Sequence, residues 1–199
     1  MAVAAFKVVM SNQNNNEPPI STGQVSDASG VSGEAAIQPS VSWMLRSPAR
    51  MVAFGLGSGL IRPAPGTWGT LAGWLVWVVV LSRLSDTGVA VALAVSFAYG
   101  CLVCHRVGKD LGRPDHGGMV WDEMVAFWLV LWFTPDTLWA QAIAFGLFRL
   151  FDIVKPPPIR YFDARLKNGF GVMWDDIVAA LYALLVLAVL QRIGLLGVL

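Results

Sequence analysis

From about residue 42 onward the chain is a succession of apolar runs separated by polar, Gly/Pro-rich breaks. Five runs stand out, at roughly 68–82, 88–104, 120–133, 138–151 and 176–198. They are read as helices, so the fold class expected is all-α. A helix needs about 20 apolar residues to cross a bilayer. Only the last run meets that length comfortably; the others are expected to be tilted, interfacial or buried against one another. The connections differ in kind: "SRLSDTG" and "TPD" are brief, whereas "FGLGSGLIRPAPGTWG", "HRVGKDLGRPDHGGMVWDE" and "FRLFDIVKPPPIRYFDARLKNGFGVMWDD" are long and charged. If the runs cross in turn, all three rich stretches emerge on one face. The predicted architecture is therefore a multi-pass membrane helical bundle with Gly/Pro-rich loops gathered on one side.

Residues 1–41 follow another pattern. "SNQNNNEPPISTGQVSDASGVSGEAAIQPS" is rich in Ser, Asn, Gly and Pro and poor in large apolar residues, and is expected to be a disordered extension. The opening "MAVAAFKVVM" is short and interrupted by Lys7, unlike a signal peptide. Residues 42–199 form the helical membrane domain.

Composition supports the membrane reading. Apolar residues make up 56% of the 199 and charged residues 14%, with a mean hydropathy of +0.61. Soluble domains carry roughly a quarter charged residues, and one core of this size cannot hide such an excess. Net charge is +1, so no basic field points to nucleic acid. Cys101 and Cys104 form a C-x-x-C without a second ligand pair, and read as two small side chains on one helix face.

Charge then separates the two faces. Arg46, Arg50, Arg62, Arg106, Lys109, Arg113, Arg149, Lys155, Arg160, Arg165 and Lys167 fall on the side with the rich loops; only Arg83 and Arg192 fall near the other. The positive-inside rule makes the rich face cytoplasmic. The acids Asp122, Glu123, Asp152, Asp175 and Asp176 fall there too, which favours a site at the membrane surface over a pathway through it.

Asp122 and Glu123 open one apolar helix, and Asp175 and Asp176 are expected to open another. One such pair can simply complement a helix dipole, worth about 0.3–1 kcal/mol per charge. Two pairs on one face ask for more, because four gathered carboxylates repel and need a cation. Histidines and thiols are scarce, and oxygen ligands favour a hard ion, Mg²⁺ above all beside phosphate. Asp152 is a further ligand candidate. Arg149 and Lys155, spaced by threes with it, are candidate phosphate clamps, as are Lys109 and Arg62. The "GLGSGLIRPAPGTWGT" stretch lacks the G-K-[ST] of a Walker loop. His116 is a candidate proton shuttle or a structural loop residue. With no serine elbow and no C-x₅-R loop, a metal-activated water or one Asp must supply any nucleophile.

Three blocks, "FGLGSGLIRPAPGTWGTLAG", "CHRVGKDLGRPDHGGMVWDEMVAFW" and "FRLFDIVKPPPIRYFDARLKNGFGVMWDDIVAALYA", resemble in order the signature blocks of phosphatidylglycerophosphatase A. The resemblance covers most of residues 54–183. It implies an all-helical, Mg²⁺-dependent lipid phosphatase of the bacterial inner membrane. The implied reaction is hydrolysis of the phosphomonoester of phosphatidylglycerophosphate to phosphatidylglycerol and inorganic phosphate. The family's acidic blocks fall on Asp122, Glu123, Asp152, Asp175 and Asp176, as catalytic and metal-binding residues. Two rival readings remain: a small transporter, which needs polar groups in mid-span, and an accessory protein that binds anionic lipid through basic residues alone.

Overall fold

The computed structural model describes residues 38–157, 159–166 and 168–195. The expected 1–41 extension lies almost wholly outside the described residues, as do Lys167 and the side chain of Asp163. All regular structure among the described residues is helical: α1 (Val41–Leu45), α2 (Pro48–Ala53), α3 (Pro65–Val79), α4 (Asp86–Asp110), α5 (Trp121–Trp132), α6 (Leu138–Val154), α7 (Ile159–Arg165) and α8 (Gly169–Arg192), with short 3₁₀ turns at Gly55–Leu60 and Leu81–Arg83.

The caps explain several boundaries. Ser85, Thr137 and Asn168 each turn a side-chain oxygen onto a backbone N–H of the first turn, starting α4, α6 and α8. Pro65 sits at the first turn of α3, where its missing N–H costs nothing. Among the described residues, three stretches are long and apolar enough to cross a membrane: Pro65–Arg83, Asp86–Asp110 and Gly169–Arg192. Their outward side chains are apolar, with Leu102 71% and Leu185 64% exposed, as lipid-facing surfaces require.

This corrects the expectation that only the last run has full length. The run read as 88–104 is the 25-residue α4, because the helix continues through the polar "HRVGKD" that an apolar count leaves out. The run read as 176–198 starts seven residues earlier, at Gly169, and ends at Arg192. Asp175 and Asp176 are thus not at the mouth of α8 but well inside it.

α5 has only 12 residues, about 18 Å of helix, too short to span a bilayer. It is buried nearly all round and forms the centre of the bundle. Met124, Val125, Ala126, Phe127, Trp128, Val130 and Leu131 are all buried there. Phe127 stacks on Phe148 at 5.6 Å and meets Trp74 and Phe145 edge-on. α3 comes close because Gly66, Gly69 and Gly73 face α5: a Cβ on Gly69 would strike Val120, and one on Gly73 would press on Met124. The Trp128 indole donates to Gly73 O at 2.8 Å across the same contact.

The chain order does bring the rich loops together. Val120 N donates to Ala53 O at 2.8 Å, Gly59 lies against Gly118, and the 148–176 stretch reaches both other loops through the side chains described next.

Candidate active site at the loop end of the bundle

Asp122 lies in the first turn of α5, where its Oδ1 accepts from Glu123 N at 3.0 Å. Asp122, Asp175 and Asp176 are buried, at 6%, 5% and 4% exposure. Adjacent residues on a helix diverge by about 100°, and the structure uses that divergence. Asp122 lies within electrostatic range of Glu123, the loop residue Asp115 and Asp175. Glu123 turns to the Arg149 guanidinium of α6, 3.1 Å from its Oε2. Arg149 also grips Asp152 Oδ2 at 2.7 Å and donates to Thr70 Oγ1 of α3 at 3.4 Å. Asp176 lies within electrostatic range of Asp152, Asp122, Asp175 and Glu123 together. Carboxylates from α5, α6 and α8 therefore meet at one end of the bundle.

Two cations are woven into this cluster. Arg149 serves Glu123 and Asp152, and the Lys155 ammonium stands 2.6 Å from Asp175 Oδ2. Lys155 ends α6 in the left-handed conformation, φ 44°, ahead of Pro156. That conformation costs a non-glycine residue on the order of 1–2 kcal/mol. Gly66, in the first turn of α3, backs the cluster: any Cβ there would collide with Glu123 Oε1 and come within 2.7 Å of Arg149 Nη2.

The electrostatics are unbalanced. Burial pushes the Asp122 carboxyl well above the usual range, and the charges of Glu123, Asp115 and Asp175 add to it. Burial likewise lifts Glu123 to about 7, with Arg149 opposing and Asp152 reinforcing the rise. Glu123 Oε2, Asp176 Oδ2 and Arg149 Nε are buried without a hydrogen-bond partner. For Glu123 the ion pair is close enough in distance but not aligned for a hydrogen bond.

Five of the expected residues, Asp122, Glu123, Asp152, Asp175 and Asp176, are brought together, with Arg149 and Lys155 among them. Lys109 is elsewhere. With His105, Pro114, Asn168 and Gly169 it lines a separate cavity of about 380 Å³ at the start of α8. Gly169 is six residues, roughly 9 Å of helical rise, before Asp175. Arg62 is exposed on the loop before α3 and acts electrostatically on His116 instead. The sequence reading missed Gly66 and Thr70 and gave Asp115 no role. The first two stand in "GTWGT", whose glycine spacing was a readable sign of a close helix contact.

The fold and this cluster define an all-helical, membrane-associated protein with an acid-and-cation centre at one end of its bundle. Residues 51–191 match the family described as Phosphatidylglycerophosphatase A, and the chain belongs to that family. It is 49% identical over 148 residues to the Haemophilus influenzae phosphatidylglycerophosphatase A, covering 74% of this chain and 91% of that one. It is 38% identical over 136 residues to the Escherichia coli K12 phosphatidylglycerophosphatase A, covering 68% and 78%. A Bacteroides thetaiotaomicron relative with a provisional phosphatidylinositol-3-phosphatase name is 35% identical over 145 residues, covering 70% and 91%. No solved structure matches the chain.

Proposed function

We propose that this protein hydrolyses the terminal phosphomonoester of phosphatidylglycerophosphate in the bacterial inner membrane, at a site facing the cytoplasm. The observation that carries the reading is the meeting of Asp122, Glu123, Asp152, Asp175 and Asp176 with Arg149 and Lys155 at the charged end of an apolar bundle. A transporter is disfavoured because these groups lie at one end rather than in mid-span. A basic lipid-binding surface has no need of buried carboxylates.

A divalent cation suits the donor chemistry. All five acids offer hard oxygen ligands, and two buried carboxylate oxygens, Glu123 Oε2 and Asp176 Oδ2, accept no hydrogen bond. Among the described residues no three acidic, His or Cys side chains are grouped ready to enclose an ion, because Arg149 and Lys155 already stand against three of the acids. Glu123, Asp176 and Asp122, with Asp152 and Asp175, are the residues that would hold Mg²⁺. When bound, the ion supplies Lewis-acid stabilisation of phosphoryl oxygens and acidifies water.

The chain's own groups have defined tasks. Arg149 and Lys155 offset charge on the phosphoryl oxygens, which must be stabilised as the P–O bond breaks. The acids keep Arg149 and Lys155 fixed, so that little reorganisation is needed at the moment of reaction. The acyl chains remain beside the apolar faces of α3, α4 and α8, and only the headgroup reaches the cluster. A direct test is phosphate release from phosphatidylglycerophosphate in detergent micelles, with and without EDTA, beside a phosphatidylinositol-3-phosphate arm. Metal-dependent release from the first lipid supports the reading; release only from the second overturns the substrate assignment.

A further inference from the structure

The loops before α3 and between α4 and α5 carry two arginines and a histidine that the acid cluster does not engage. His116 receives the Gly118 N–H on its Nδ1 at 3.1 Å, so the proton of its neutral ring is on Nε2. Its ring lies against Phe54, 5.9 Å between centroids. The charges of Arg113 and Arg62 both act on His116, opposed by that of Asp115, and the three donors stand on two loops that touch. The contact of Gly59 with Gly118 holds the two loops together. Neither arginine has an ion-pair partner among the described residues, whereas Arg50, Arg149 and Lys155 do.

Two further observations locate this group. Gly66, four residues after Arg62, lies against the Glu123 carboxylate, and Val120, four residues after His116, opens α5 just before Asp122, so both loops border the acid cluster; the Asp115 charge acts on Asp122 and Glu123 as well. On the same segment as Arg62, Leu56 and Trp68 are 68% and 43% exposed, and the Trp68 indole donates to Pro63 O at 3.1 Å; exposed apolar and aromatic residues of this kind settle at the membrane–water interface. Beside Gly117 there is open space. An anion at the depth of lipid phosphates would therefore meet Arg62, Arg113 and His116 while remaining next to the carboxylates.

We propose that Arg62, Arg113 and His116 form a second anion subsite, which takes the phosphodiester of the substrate headgroup while the acid cluster handles the terminal monoester. This rests on the phosphatase reading and extends it to substrate choice. A lipid with both phosphates, joined by a short polyol, engages both sites; phosphatidic acid, with a monoester alone, engages one. Arginine suits a phosphate through its planar fork of donors, and the His116 Nε2–H adds a neutral donor.

The test uses the full chain in nonionic detergent, with R62Q, R113Q, the double variant and R106Q, an exposed cation of the same face, as a control for general surface charge. The double variant is expected to raise KM for phosphatidylglycerophosphate at least tenfold with kcat within threefold. Its preference for that lipid over phosphatidic acid should fall by at least tenfold. Binding of dihexanoyl phosphatidylglycerol, a diester without a monoester, is followed by calorimetry; it should weaken at least tenfold in the double variant and less than twofold in R106Q. Competition by deacylated glycerophosphoglycerol phosphate, lost in the double variant, places both phosphates on one molecule; competition that survives assigns the arginines to a neighbouring lipid and overturns the proposal. An equal effect of R106Q, or unchanged diester binding in the double variant, overturns it as well. If the wild type releases no phosphate from any lipid, the phosphatase reading fails, and the calorimetric arm still decides whether the anion subsite exists.

Discussion

Lys155 holds its ammonium 2.6 Å from Asp175 Oδ2, joining the end of α6 to the second turn of α8 across the mouth of the bundle. Asp175 is nearly enclosed, while Lys155 keeps a quarter of its side chain exposed. Removing one partner of an enclosed pair is worse than removing both, because the survivor keeps its desolvation cost. Lys155→Met should therefore lower stability by about 2–4 kcal/mol and Asp175→Asn by less. The double variant should recover part of the loss, with a coupling of roughly 1–3 kcal/mol. Denaturation of the three detergent-solubilised proteins measures this, and strict additivity would exclude the pairing.

Asp176 makes the opposite demand on stability. Its Oδ2 is buried, unpartnered and surrounded by other acids, an arrangement unfavourable for folding that suits binding of a cation. Asp176→Asn keeps the shape and removes the charge. Turnover should fall at least a hundredfold while the metal-free protein becomes more stable, by about 1 kcal/mol or more. Phosphate release and thermal unfolding, measured on one preparation, give the two signs. Loss of both activity and stability would make Asp176 a structural residue.

Much of this centre was legible in the sequence because acids in an apolar neighbourhood are conspicuous. What the pattern could not supply was depth. Asp175 and Asp176 look like the mouth of a helix when only apolar residues are counted, yet α8 begins at Gly169, capped by Asn168 and pressed against Cys101 and His105 of α4. A tertiary contact, not local hydropathy, sets that boundary. α4 likewise runs on through polar residues to Asp110, beyond the end of its apolar run. Nor could spacing tell that Arg149 and Lys155 pair with the acids while Lys109 lines a different cavity and Arg62 is exposed on its loop, since all four sit on one face in a topological count.

Gly66 gives a steric test. A methyl group there meets the Glu123 carboxylate and Arg149, so Gly66→Ala should displace that pair. We expect kcat to drop about tenfold to a hundredfold with secondary structure retained, a geometric rather than a chemical loss. Gly146 of α6 is the control: a Cβ there meets nothing within 4 Å. Gly146→Ala should leave activity intact and, by helix propensity, cost no stability. Equal losses in the two variants would remove Gly66 from the site.

Phe127 tests whether stability and chemistry separate along α5. It is fully buried among Trp74, Phe145 and Phe148, on the part of the helix beyond the acids. Phe127→Ala should destabilise by about 3–5 kcal/mol through the cavity it leaves. Turnover per folded molecule should stay within a few-fold of wild type at low temperature. A collapse of kcat in the folded fraction would show that α5 transmits its packing to Asp122 and Glu123.

The last prediction concerns pH. Glu123 has a folded pKa of about 7 against an ordinary 4.5, and burial is the main cause. The folded, metal-free protein therefore binds more protons than the unfolded chain between those values. Stability from this group is present in full below pH 4.5 and is lost as pH rises through 7. Asp122, raised in the same direction by burial and its acidic neighbours, adds to the slope. In EDTA the melting temperature of the wild type should fall between pH 5 and 8, and that of Glu123→Gln should fall less. A cation held by these oxygens displaces the protons, so the Mg²⁺ concentration needed for half-maximal stabilisation should decrease with rising pH over the same range. A wild-type profile that rises from pH 5 to 8 in EDTA would mean that Glu123 is charged in the empty site and that Arg149, not burial, governs it.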